Sequence, residues 1–226
     1  MKILFFKLGR DSLMELSELK KGTTTIGIAC KDGTVLASET RATMGNLIAH
    51  KHADKIYKLD DNLGMTTAGL VGDDQALARY VRAEVELHRL KSASFMSVKG
   101  AATLTANILQ SNRYMPFYVG LIIGGIDGGK SSVYGLDAAG GMTDDEYVSI
   151  GSGSPFSLGV LEDHFESGMN VNEATDIAIR ALHSSMERDS ASGGKAVVVN
   201  ITSKGYVKLD EKAIDKRWSR IQKSSQ

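Results

Sequence analysis

The order in which hydrophobic periodicities follow one another constrains this chain more than any single motif. Residues 23–30 and 34–39 are rich in β-branched and apolar side chains and flank Lys31-Asp32-Gly33, a hairpin signal that predicts an antiparallel pair. A second pair is predicted at residues 55–59 and 64–71 around Asp60-Asp61-Asn62. From Asp73 the period lengthens: Leu77, Tyr80, Val81, Val85 and Leu90 fall near one helical face, with Asp73 or Asp74 available as cap. A second helix runs from about Ser97 to Leu109, with Val98, Ala101, Ala102, Thr105 and Ile108 inward. Strand patterns return at residues 117–123 and 132–136, split by Asp127-Gly128-Gly129, and at 146–150. Helical patterns follow at 155–161 and 172–186, then a strand at 195–201, a turn at Gly205 and a charged C-terminal helix. Strands, two helices, strands, two helices, strands is the signature of an α+β fold with two mainly antiparallel sheets covered by helices; a doubly wound βαβ sheet fits poorly. At 226 residues and 42% hydrophobic content, one domain with one sizeable core is the expectation.

Charge and cysteine usage exclude several classes of partner. Twenty-seven basic and 27 acidic side chains cancel without long runs of either sign, so no nucleic-acid partner is expected. Cys30 has no second cysteine to bridge to and lies in an apolar stretch, which suits a buried small hydrophobe in a reducing interior. Only four consecutive apolar residues, Ile3 to Phe6, precede Lys7, short of the roughly 7–15 of a signal peptide. No run approaches the roughly 20 residues of a membrane span, so a soluble, cytoplasmic protein without a membrane partner is expected.

Familiar catalytic signatures are missing. Gly151-Ser152-Gly153-Ser154-Pro155 precedes a helix but lacks the third glycine of a dinucleotide fingerprint, and Pro155 stands where a serine-hydrolase elbow needs glycine. His50 and His52 could face one way on a strand, yet no further ligand lies near enough to complete a metal set, and they read as polar loop residues. What remains is the change of composition at Gly22/Thr23, in Lys21-Gly22-Thr23-Thr24-Thr25. Taken alone, three threonines opening a strand signal β-propensity before chemistry.

Their company alters that weighting. Gly22-Thr-Thr-Thr-Ile-Gly27, Ala37-Ser-Glu-Thr-Arg41, Asp54-Lys-Ile56, Met65-Thr-Thr-Ala-Gly69, Gly151-Ser-Gly-Ser154 and Arg188-Asp-Ser-Ala-Ser-Gly-Gly194 occur in this order. Together they resemble the archaeal-type proteasome β-subunit family over residues 23 to about 209. The resemblance implies a four-layer αββα sandwich, the fold of N-terminal-nucleophile hydrolases. It also implies a propeptide, residues 1–22, removed by autocatalytic cleavage after Gly22, and a single catalytic domain at 23–226. The activity implied is that of a threonine endopeptidase acting on unfolded polypeptides, without metal or organic cofactor. Its implied partners are β subunits in heptameric rings, rings of α subunits and an ATP-dependent unfoldase.

Residue by residue, Thr23 matches the family's nucleophile, Lys55 its active-site lysine and Glu39 the acid that holds that lysine, where many relatives carry Asp. Asp189 and Ser192 match an orienting pair and Ser152 the serine near the free amine. Gly69 matches the position whose backbone N–H stabilises the oxyanion; taken alone it reads as a turn glycine. Thr43 and Gly69 would pair with the substrate backbone, while Ala42, Ala53, Thr67 and Val71 match pocket positions whose small, mostly uncharged side chains suggest cleavage after apolar residues.

The chemistry has reasons to need these groups. A threonine hydroxyl is a poor nucleophile, and either a lysine or the α-amine released by processing, of reference pKa about 7.7–8.0, can act as its base. Gly22 is small enough for its carbonyl to meet the Thr23 hydroxyl in a tight bend. Three other readings compete: a non-catalytic ring subunit, which would lack Thr, Lys or acid; a bacterial two-component protease subunit, usually shorter; and an N-terminal-nucleophile amidohydrolase of small molecules, which would leave casein-like protein uncut.

Overall fold

A computed structural model describes residues 22–224 of the 226-residue chain. The expected propeptide boundary therefore falls inside it, whereas residues 1–21 lie outside the described part. The strands are β1 (Thr24–Cys30), β2 (Gly33–Glu39), β3 (Ala42–Met44), β4 (Leu47–His50), β5 (Ile56–Asp60), β6 (Leu63–Gly69), β7 (Val119–Asp127), β8 (Lys130–Leu136), β9 (Met142–Asp145), β10 (Tyr147–Gly151), β11 (Ala196–Thr202) and β12 (Gly205–Lys208). The helices among the described residues are α1 (Val71–Ser92), α2 (Val98–Ser111), α3 (Ser154–His164), α4 (Val171–Arg188) and α5 (Glu211–Ser224). No described helix is long and apolar enough to cross a membrane.

The strands build two five-stranded antiparallel sheets, ordered β10-β1-β2-β11-β12 and β5-β6-β7-β8-β9, with β3 and β4 as a separate hairpin. Alternation along each central strand sorts side chains into layers. In β2, Val35 and Ala37 pack with α4 residues such as Ala178 and Leu182, while Leu36 between them points at the other sheet. In β7, Leu121 and Ile123 pack with Leu77 and Val81 of α1, and Ile122 joins Leu36, Val133, Val199 and Ile201 between the sheets. The result is the expected α+β sandwich with layers helix, sheet, sheet, helix. The sheets close tightly because small residues face large ones: a Cβ on Gly27 would lie 2.7 Å from Ile122 Cγ2.

Several local expectations differ from the structure. Helix α1 starts at Val71, with Leu70 as N-cap and no side-chain cap; neither Asp73 nor Asp74 caps it. Asp73 instead accepts a hydrogen bond from Tyr118 N (2.8 Å), pinning the helix to the entry of β7. Tyr80 and Leu90 lie outside the buried stripe, being 55% and 78% exposed, because 3.6-residue spacing carries them off the face set by Leu77, Val81 and Val85. Helix α4 starts one residue earlier than its hydrophobic pattern suggests, behind a capping box in which Asn170 and Glu173 satisfy each other's backbone N–H groups.

Candidate active site

The candidate residues come from both sheets and meet at one end of the sandwich. Thr23 immediately precedes β1, and Thr24 pairs with Gly151 at the end of β10, which brings the loop around Ser152 alongside. Glu39 closes β2. Lys55 opens the second sheet: its carbonyl accepts from Thr67 N (2.9 Å), fixing it beside β6. Asp189 caps the C-terminus of α4, and Ser192 follows in the turn leading to β11.

Thr23 is buried, and its hydroxyl donates to the carbonyl oxygen of Gly22 at 2.7 Å. Its backbone N–H donates to Ser152 Oγ at 3.2 Å, and the Ser152 hydroxyl donates in turn to Asp189 Oδ2. The Ser192 hydroxyl also donates to Asp189 Oδ2 (2.7 Å), which leaves the Thr24 hydroxyl as donor in its 2.7 Å contact with Ser192 Oγ. One carboxylate thus organises both threonines. Burial works against ionisation of Asp189, but donors from Ser152, Ser192 and the Ala191 N–H, with the Lys55 charge, hold its pKa below the ordinary carboxylate value.

Lys55 and Glu39 form a buried ion pair, 6% and 0% exposed. Lys55 Nζ also donates to the Arg41 carbonyl at 2.5 Å. Glu39 Oε2 accepts from Arg41 N (2.6 Å) and Gly193 N (3.1 Å), and Oε1 from Thr24 N (3.2 Å). Burial pushes the Lys55 ammonium below the ordinary lysine value, against the pull of Glu39, Asp74 and Asp189. Burial likewise pushes the Glu39 carboxyl up, against Lys55 and its backbone donors. Three backbone N–H groups favour the charged form of Glu39, and for Lys55 burial outweighs the pull of that charge, bringing the lysine closer to neutrality. Because Glu39 N–H partners come from three separate chain segments, the acid also ties β1, the β2–β3 link and the turn after Ser192 into one unit.

A cavity of about 240 Å³ opens beside these groups, lined by Gly22, Thr23, Lys55 and Gly69 and by Ala42, Thr43, Ala53 and Val71. Thr43 Oγ1 accepts from Gly22 N (2.8 Å). Thr67, on the same face of β6 as Gly69 but two residues further into the strand, is fully buried and does not line the cavity. Gly69 is held close to β7: a Cβ there would sit 2.0 Å from the Tyr118 carbonyl oxygen.

Sequence reasoning missed several neighbours. The β3–β4 hairpin, which supplies Met44, Ala49 and His50 to the cavity, is too short and polar at its turn to show a clear alternation. His50, read as a loop residue, ends β4. Arg41 donates from Nη1 to the Ser190 and Ser192 carbonyls (3.2 and 3.1 Å), clamping the turn that carries Ser192; no local pattern announces contacts across about 150 residues. Asp74, expected at a helix start, lines the cavity and is 5% exposed.

A family model described as "Proteasome subunit" matches residues 19–201. A "Proteasome subunit beta" of Methanothermobacter thermautotrophicus is 50% identical over 198 residues, spanning 87% of this chain and 94% of the relative. Those of Ferroglobus placidus and Methanosarcina thermophila are 50% identical over 196 residues and 48% over 205, covering 86% and 90% of this chain and 93% and 98% of their own lengths.

Proposed function

The chain belongs to the proteasome subunit family, and from that premise we propose that its chemistry is threonine-centred, with Thr23 as nucleophile and the Gly22–Thr23 bond as its first substrate. It is a catalytic β subunit of the 20S core, a protease that works in assembly with other subunits. The observation that carries the threonine reading is the position of the Thr23 hydroxyl, 2.7 Å from the Gly22 carbonyl oxygen, in a cavity whose wall it shares with Lys55.

Self-release begins when Thr23 Oγ1 adds to the Gly22 carbonyl carbon. At that stage the Thr23 nitrogen is an amide and cannot take a proton, so Lys55, driven toward its neutral form by burial, is the base of this set. The C–N bond breaks as the nitrogen receives that proton, leaving Gly22 esterified to Thr23. Water then hydrolyses the ester, giving the Gly22 carboxylate and a free Thr23 amine. In later turnovers the same hydroxyl attacks a substrate carbonyl, the Gly69 N–H faces the developing oxyanion, and water releases the acyl group. Ser152, Asp189 and Ser192 orient the amine once it is free. Lys55 and the amine share the proton handling, since the amine titrates near neutrality.

In this reading residues 1–22 are a propeptide and 23–226 the mature catalytic domain, a cytoplasmic threonine endopeptidase. Seven such subunits form each inner ring between α-subunit rings, and an ATP-dependent unfoldase delivers unfolded polypeptides. A closed chamber suits a protease of low side-chain selectivity, since it keeps folded proteins away from the nucleophile.

The test is the intact mass of the chain after co-assembly with an α partner, beside a Thr23→Ala control, with native mass confirming assembly of both. Loss of residues 1–22 in the unmutated chain alone is the expected result. Equal retention in both assembled samples would overturn the threonine reading in favour of a non-catalytic ring subunit.

A further inference from the structure

Resting on that reading of Thr23, we propose that Thr43 is a positioning residue for self-release: its hydroxyl accepts the Gly22 N–H and holds the scissile carbonyl in the bend that Thr23 attacks. Glycine has more backbone freedom than any other residue, so nothing within Gly22 itself keeps that bend, and its neighbours must do so. Gly22 N donates to Thr43 Oγ1 at 2.8 Å, and the Gly22 carbonyl oxygen accepts from the Thr23 hydroxyl at 2.7 Å. Its Cα lies against Ala191, so closely that a Cβ would sit 1.7 Å from the Ala191 Cβ. The nitrogen of the scissile bond has a separate holder, Ser152 Oγ, at 3.2 Å. The amides on both sides of Gly22 thus each end on a side-chain hydroxyl, and the two hydroxyls fix the plane of the carbonyl between them.

The local fold aims Thr43 at this contact. The β3–β4 hairpin belongs to neither large sheet, and within residues 42–50 Thr43 is the only buried residue, while Met44, Leu47 and Ile48 are exposed. A register shift between Ala42 and Thr43 marks an irregularity of the kind by which strands re-aim a side chain. A β-branched side chain has few rotamers in a strand, so the hydroxyl is fixed once the backbone is. Without it the Gly22 N–H, in a buried contact, loses its acceptor and the bend competes with other conformations of the glycine. The rate of self-release then falls with the population of the bend. Gly22 leaves with the propeptide, so this contact serves self-release and ends with it.

The experiment follows the intact mass of the full chain with time after mixing with an α partner, native mass confirming assembly, for Thr43→Val, Thr43→Ala and Thr43→Ser beside the unmutated chain. Valine keeps the shape and the main-chain groups of Thr43 without its hydroxyl, alanine removes both shape and hydroxyl, and serine keeps the hydroxyl alone. Thr43→Val and Thr43→Ala should each lose residues 1–22 at least about fivefold more slowly, the factor for a buried N–H left without its acceptor, and Thr43→Ser should process near the unmutated rate. Once matured, the valine and alanine particles should show a smaller loss in kcat/KM on a fluorogenic peptide than in processing rate. Processing of Thr43→Val at the unmutated rate, or a serine variant as slow as valine, would overturn the inference and leave the nucleophile intact. So would equal losses in processing and peptide hydrolysis, which would place the hydroxyl in the chemistry common to both. An unmutated chain that assembles but keeps residues 1–22 would instead refute the reading of Thr23.

Discussion

Gly22→Ala is the perturbation whose consequence can be worked furthest from the coordinates. A Cβ on Gly22 would lie 1.7 Å from Ala191 Cβ, 2.5 Å from its Cα and 2.6 Å from its carbonyl carbon. Unstrained carbon contacts lie near 3.5–4.0 Å, so the two segments would have to part by about 2 Å. Ala191 cannot withdraw alone, because its N–H bonds Asp189, the neighbouring Ser192 hydroxyl bonds the same acid, and Arg41 clamps the Ser190 and Ser192 carbonyls. Overpacking of this kind costs about 1–3 kcal/mol. If that strain is borne by the bend that brings the Gly22 carbonyl to Thr23, processing slows by about 5- to 150-fold, at 1.36 kcal/mol per tenfold. The assay is a time course of intact mass after mixing with the α partner. Adding Ala191→Gly removes the 1.7 Å contact but leaves those at 2.5 and 2.6 Å, so the double variant should recover part of the rate. Processing of Gly22→Ala at the unmutated rate, or a double variant no faster than the single, would refute the reasoning.

Lys55→Met should assemble but lower peptide hydrolysis by about 10²–10⁴-fold, the range for loss of a proton-transfer group, as read from steady-state kinetics on native-mass-verified particles. Asp189, held below its ordinary value of 3.8, contributes stability that is present above that value and drains as pH falls through the folded one. Melting temperature followed from about pH 5 to about pH 2 should therefore drop less steeply in Asp189→Asn than in the unmutated chain, and equal slopes would contradict the assignment. Ile122→Ala, at a fully buried position between the sheets, should destabilise by about 2–5 kcal/mol in a denaturant titration.

The architecture was legible because it is written in short-range pattern. The Lys31-Asp32-Gly33 turn, the alternation through Val35, Leu36 and Ala37, and the helical stripe of Leu77, Val81 and Val85 each depend on residues a few positions apart. Helix ends were less legible: α1 begins without a capping side chain, and Asp73 is engaged by Tyr118, 45 residues away. The nucleophile candidate and its ion pair were reachable only through the joint occurrence of spaced motifs, since Thr23 by itself is an ordinary strand-forming residue.

By itself, then, the sequence determined which segments become strands and helices, and that two antiparallel sheets would bury each other beneath helices, because periodicity dictates which side chains must leave water. The tertiary structure alone decided what stands next to what. It placed the Arg41 guanidinium against a turn 150 residues later, aimed three backbone N–H groups from separate segments at Glu39, left Thr67 buried behind the cavity and brought Asp74 to its wall. Those contacts arise from the register and closure of two sheets, a long-range property that no local window of residues contains.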